Sequence, residues 1–154
     1  MKQSQKRLHL ELMGVANAHK KYNMKKFNQL NLTTGQPKVL TVLLQKDGYL
    51  QKDLAKRCHV EPATMTSLLK IMELRNLIYK QEEHVSGGKR AYSIYLTEYG
   101  RDIAHQVEDI VNASENISFE GFSEVEKDQF LDLMDRMKKN IERHNKLEEE
   151  TLDD

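Results

Sequence analysis

At 154 residues, with 38% hydrophobic and 31% charged residues, the chain has room for one domain or one compact module carrying helical extensions. It is lean in core-forming side chains, the composition of a chain that completes its core by pairing with a second one. No apolar run approaches the roughly 18–20 residues that span a bilayer, and the single cysteine excludes an intrachain disulfide framework, so a cytoplasmic setting is expected. Net charge is zero but unevenly spread: residues 1–50 hold nine Lys/Arg against two acids, residues 51–97 eight against five, and residues 98–154 seven against seventeen. A basic front and an acidic tail suit a protein that meets a polyanion at one end, although a solvated acidic helix gives the same count.

The start, Met1 to Arg7, is basic and leads into the amphipathic Leu8–Met13, so no secretory leader is expected. From Gln5 to about Leu30, Leu8, Leu12, Val15, Ala16 and Tyr22 recur at helical spacing and predict one long amphipathic helix. Thr33-Thr34-Gly35-Gln36-Pro37 reads as a helix start with a threonine N-cap, followed by Val39, Leu40, Leu43 and Leu44 as the buried side; Asp47-Gly48 ends it. Tyr49-Leu50 is a stub of strand. Gln51–Cys58 is a two-turn helix with Leu54, Ala55 and Cys58 on one face, broken by His59-Val60-Glu61-Pro62.

From Pro62 to Arg75 the stripe Met65, Leu68, Leu69 and Met72 predicts a further helix, with Asn76 suited to end it. The period then changes. Leu77–Gln81 and Ala91–Leu96 are rich in β-branched and aromatic residues and read as antiparallel strands, joined by a long loop over Glu82–Arg90. Thr97-Glu98-Tyr99-Gly100 opens another helix, with Ile103, Ala104, Val107, Ile110 and Val111 inside; Ser118–Gly121 interrupts it. Ser123-Glu124-Val125-Glu126 has the capping-box pattern and starts a last helix with the stripe Phe130, Leu133, Met134, Met137, Ile141 and Leu147. The last eight residues read as a frayed acidic end.

Helices 51–58 and 62–76 lie only three residues apart, as a helix-turn-helix requires, and a helix of this kind fits the major groove of B-DNA. With the apolar stripe inward, Ala63, Thr64, Thr66, Ser67 and Lys70 face outward. These small, hydroxylated or cationic groups suit bases and phosphates, and no acid lies between Pro62 and Lys70. An ordinary polar helix face has the same composition; the tight helix pair before it is what favours nucleic acid. Lys89 and Arg90, beside the glycine-rich ribbon tip, suit phosphates and the narrow minor groove.

Three segments in this order resemble the MarR family of bacterial and archaeal transcription regulators: Leu50–Arg57, Pro62–Lys70 and Lys89–Gly100, the last with its Leu-Thr-x-x-Gly entry to the next helix. The likeness covers about residues 32–100, and the flanking helices by layout. It implies a mainly α fold with a small β-ribbon wing, that is, a winged helix-turn-helix lobe over 32–97 between dimerisation helices at 1–31 and 98–154. It further implies a homodimer that binds a palindromic operator on double-stranded DNA, with half-sites about 34–36 Å apart, and a ligand-responsive repressor. Where the family carries Asp-x-Arg at the wing, this chain has Gly88 before Arg90, leaving Glu82 or Glu83 as substitute partners. An effector site is implied between the dimer helices and the DNA-binding lobe; by layout Met13, His19, Tyr22 and Val42 would line it for a small anionic or aromatic ligand.

Other chemistries have weaker signals. Cys58 shares an apolar face with Leu54 and Ala55, the setting of an inert buried thiol. The histidines at 9, 19, 59, 84, 105 and 144 form no tight pair, so no metal is expected. No phosphate-cradling glycine motif, nucleophile elbow or paired-carboxylate site is recognisable, so neither an enzyme nor a cofactor is expected. The rival reading is a winged helix that contacts proteins and not DNA.

Overall fold

The computed structural model describes the backbone of residues 2–152 and the side chains of residues 7–150. The chain runs α1 (Lys2–Gln29), α2 (Gln36–Gln45), β1 (Tyr49–Leu50), α3 (Gln51–Arg57), α4 (Pro62–Leu74), β2 (Ile78–His84), β3 (Arg90–Leu96), α5 (Glu98–Ser118) and α6 (Glu124–Leu152). It is mainly α with one small antiparallel sheet, as the sequence leads one to expect. Two compact units form, residues 1–114 and 115–154.

In the first unit, Leu40, Leu43, Leu54, Met65, Leu69 and Met72 are fully buried around Ile94 and Val107. Three helices end alike, with the C′ residue in the left-handed region: Asn31 (φ 56°) after α1, His59 (φ 53°) after α3 and Asn76 (φ 57°) after α4. In each, two backbone N–H groups fold back on the last turn. After α3, His59 N–H donates to the Lys56 carbonyl at 3.1 Å and Val60 N–H to that of Ala55 at 2.9 Å. This is the Schellman closure. It turns the chain within residues 59–61, so α4 can start at Pro62, whose missing N–H costs nothing in a first turn.

The start of α2 differs from expectation. Neither Thr33 nor Thr34 caps it; the N-cap is Gly35 at φ 93°, and the Gln36 side chain accepts from Thr33 N–H at 3.0 Å. The turn needs positive φ next to the helix, which glycine supplies without strain, and a buried Gln36 does the polar work instead.

The sheet has the order β1-β3-β2, with Tyr49 opposite Ile94 and Ile78 opposite Leu96. The ribbon is longer than expected: pairing continues through Glu82, Glu83 and His84 to Arg90, so residues 85–89 alone form the connection. Gly87 and Gly88 hold φ of 86° and 71° at its tip. Charged residues hide this part of the strand because neither of its faces joins the core.

In the second unit Phe119, Phe122 and Phe130 pack edge to face, with centroids 5.3–6.2 Å apart. The expected capping box is present: Ser123 N–H donates to Glu126 Oε2 at 2.8 Å and Glu126 N–H to Ser123 Oγ at 3.2 Å. Contrary to the frayed end expected from residue 147, α6 stays helical to Leu152; Asp153 and Asp154 lie outside the described residues. Among the described residues no helix is long and apolar enough to cross a membrane.

Candidate nucleic-acid interface

The four residues of the expected stripe on α4, Met65, Leu68, Leu69 and Met72, are buried, which fixes the phase of the helix and leaves Ala63, Thr64, Thr66, Ser67 and Lys70 exposed on its other side. The structure thus presents these five on one outward face. Their hydroxyls are not idle: Thr66 Oγ1 donates to the Pro62 carbonyl at 3.0 Å and Ser67 Oγ to that of Ala63 at 3.3 Å. From the first residue of α3, Gln51 Nε2 donates to Thr66 Oγ1 at 3.0 Å.

Lys89 and Arg90 are exposed at the wing. Arg90 opens β3 opposite His84, so its side chain shares a sheet face with Glu82 two residues along, and its Nε meets Glu82 Oε1 at 3.0 Å. Of the two substitute partners expected for Arg90, Glu82 is the one that pairs with it. Between α4 and the wing lies an open groove of about 480 Å³, with Pro62 and Thr66 on one wall and Lys89, Arg90 and Tyr92 on the other. Gln51 and Lys52 complete its floor. Sequence reasoning missed both; their only signal is that they open the first helix of the helix-turn-helix.

A second cavity, about 620 Å³, lies in the first unit between α1, α2 and α5 and the end of α3. His19 and Val42 line it as expected, together with Asn23, Lys38, Arg57 and His59. Met13 and Tyr22 do not. The cavity wall follows His19, Asn23 and Phe27 at four-residue steps along α1, whereas Met13 sits six residues before His19, on another face and 56% exposed. Tyr22 lies off the stripe and packs its ring under the Lys26 ammonium, 4.9 Å away. Asn23 is buried; its Nδ2 is 3.1 Å from His19 Nε2 and its Oδ1 has no hydrogen-bond partner.

Cys58 also borders this cavity, with Sγ 4.0 Å from the Lys38 carbonyl. Burial pushes its thiol pKa up and the nearby Lys38 charge only partly opposes this, so the group is held as a neutral thiol. Among the described residues no group of three or more His, Cys, Asp or Glu side chains could hold a metal ion.

Comparison with known proteins places this geometry. Residues 32–86 match the model of the MarR family. An uncharacterised HTH-type transcriptional regulator, YybA of Bacillus subtilis (strain 168), is 27% identical over 133 residues, spanning 86% of this chain and 87% of that protein. The crystal structure of the transcriptional regulator SlyA superposes with a TM-score of 0.75 at 29% identity, over 87% of this chain and 93% of that one. A MarR family protein from Listeria monocytogenes, complexed with 26mer DNA, has the same fold (TM-score 0.77, 24% identity, 85% and 86% covered). These relatives are transcription regulators. Over residues 32–86, most of the winged-helix lobe, this chain is similar to the MarR family.

Proposed function

We propose that the protein is a transcription regulator that binds a palindromic operator on double-stranded DNA as a homodimer. The observation that carries this reading is the exposed, acid-free face of α4 set beside a basic wing across an open groove. Ala63, Thr64, Thr66, Ser67 and Lys70 enter the major groove, where small and hydroxylated side chains meet base edges. Lys89 and Arg90 take phosphates or the adjacent minor groove, with Arg90 aimed by Glu82. Residues 1–31 and 98–154 supply the dimer contacts, and a two-fold axis then sets the half-site spacing. The DNA-bound relative from Listeria monocytogenes uses a chain of this same fold.

Regulation is by a ligand in the 620 Å³ cavity, and the protein acts as a repressor. The cavity pairs apolar walls with Lys38, Arg57 and two histidines, and the unpartnered Asn23 Oδ1 is a buried acceptor awaiting a donor. A small anionic or aromatic molecule bound there would bias the separation of the two recognition helices.

The deciding experiment is retardation and footprinting on the DNA upstream of the protein's own coding region. Protection of a palindrome, with affinity falling steeply as salt rises, is expected. No retardation even at low salt would defeat DNA binding and leave the winged helix that contacts proteins as the standing reading. A thermal-shift screen of small aromatic carboxylates checks the cavity; no stabilisation by any of them argues for a constitutive repressor.

A further inference from the structure

The hydroxyl protons of Thr66 and Ser67 are committed inside the protein. Each donates to the carbonyl one turn back, Thr66 to Pro62 and Ser67 to Ala63. Thr66 is fixed further, because Gln51 Nε2 occupies one of its two lone pairs from α3. Turning the Gln51 amide end for end would make Thr66 the donor to it, so the Thr66 proton stays internal in either orientation. What remains for a ligand is the Thr66 methyl group and acceptor lone-pair capacity, with no proton to give, on an exposed residue that walls the groove.

Those remnants are selective. Guanine offers the major groove two acceptors, which call for a donor that Thr66 lacks. An acceptor lone pair suits the amino donor of adenine or of cytosine, so the methyl group decides: among the bases thymine alone offers one, and it suits an aliphatic methyl. Ala63, exposed on the same face, adds a second methyl surface and no donor. Resting on the DNA-binding reading above, we propose that Thr66, held in place by Gln51, reads a thymine methyl group and so specifies an A·T pair in each operator half-site. Gln51 is then a positioning residue, and the sequence preference of the helix depends on a contact between the two helices of the motif.

The test uses the duplex that the full chain enriches from a randomised DNA library, with each thymine replaced in turn by deoxyuridine. That change removes only the 5-methyl group. One position per half-site should weaken binding about fourfold, the worth of one buried methyl group. Thr66→Ser keeps Oγ and both internal hydrogen bonds but lacks the methyl, so it should bind the thymine and uracil duplexes alike. Thr66→Val keeps a methyl group but loses the bond to Gln51, so it should discriminate more than Thr66→Ser and less than the parent. An enriched palindrome with no uracil effect, or a Thr66→Ser protein as sensitive to uracil as its parent, overturns the assignment while leaving DNA binding standing. Failure to enrich or retard any duplex at low salt overturns both.

Discussion

Gly100 is where a single atom decides the most. A β-carbon there would lie 1.8 Å from the Leu77 carbonyl oxygen, which is backbone and cannot swing away. In an open helix, replacing glycine by alanine adds about 1 kcal/mol of stability. Here the clash reverses the sign: Gly100→Ala should lower stability by about 3 kcal/mol, through forced separation of α5 from the chain after α4. Urea unfolding checks this, and an unchanged or raised midpoint would show that the helix entry yields freely. Cys58 gives a second case. Because burial raises its pKa, the unfolded chain loses this proton before the folded one does. Its contribution to stability is full below the ordinary thiol range and is lost as pH climbs through that range toward the folded value. Native protein at neutral pH should therefore react with iodoacetamide far more slowly than urea-denatured protein. Rapid native labelling would mean an accessible thiolate, the first requirement of a redox role for Cys58. At the wing, Arg90→Ala should weaken binding about equally for all DNA sequences and reduce the salt slope by about one phosphate contact, as measured by titration at several salt concentrations.

Elements in this fold are joined by side chains at their ends more than by long loops. Thr97, the residue before α5, accepts from Gly100 N–H at 2.8 Å and donates to the Asn76 carbonyl at 2.6 Å, so one hydroxyl caps a helix and ties it to the end of another. Thr97→Ala should cost about 1–2 kcal/mol in chemical unfolding, and Thr97→Ser should restore most of it. Equal losses in both variants would mean that packing of the methyl group, and not the cap, is what matters. Such ends explain what the sequence made legible. The α3–α4 pair could be read because Met65, Leu68, Leu69 and Met72 keep a helical period and Pro62 marks the start; the same phase placed Ala63, Thr64, Thr66, Ser67 and Lys70 outside. The outer half of the wing could not, because Glu82, Glu83 and His84 pair across a ribbon that never enters the core and so carry no hydrophobic signal. The Gln51–Thr66 bond joins residues fifteen apart, and the Arg90–Glu82 pair depends on strand register. Both are products of the fold, invisible to any local pattern. Met13 and Tyr22 failed as cavity residues for a related reason: apolar character along α1 does not say which face the cavity borders.

Across the molecule, the apolar residues left exposed are concentrated at the two ends of the chain. Leu8, Leu10, Leu12, Met13 and Val15 on α1 are each 41–65% exposed, and Leu133, Met134, Ile141 and Leu147 on α6 are 42–57% exposed. Scattered apolar surface is ordinary, but repeated stripes on helices of 28 and 29 residues are the signature of faces meant to be covered. On the homodimer proposed above the cover is a second copy, and the basic N-terminal third of one chain would then attract the acidic C-terminal third of the other. Sedimentation should therefore give twice the 18.0 kDa chain mass. Leu133→Asp combined with Ile141→Asp places charge on residues already 57% and 52% exposed, so the chain's own packing should survive. Burying two carboxylates in a dimer interface is costly, and the variant should sediment as a monomer with an intact far-ultraviolet spectrum. Its affinity for a palindrome should fall by about a hundredfold or more, since the second half-site is then no longer engaged within one molecule. A variant that stays dimeric would move the interface off this face of α6, and a wild-type monomer that still protects a full palindrome would remove the need for one.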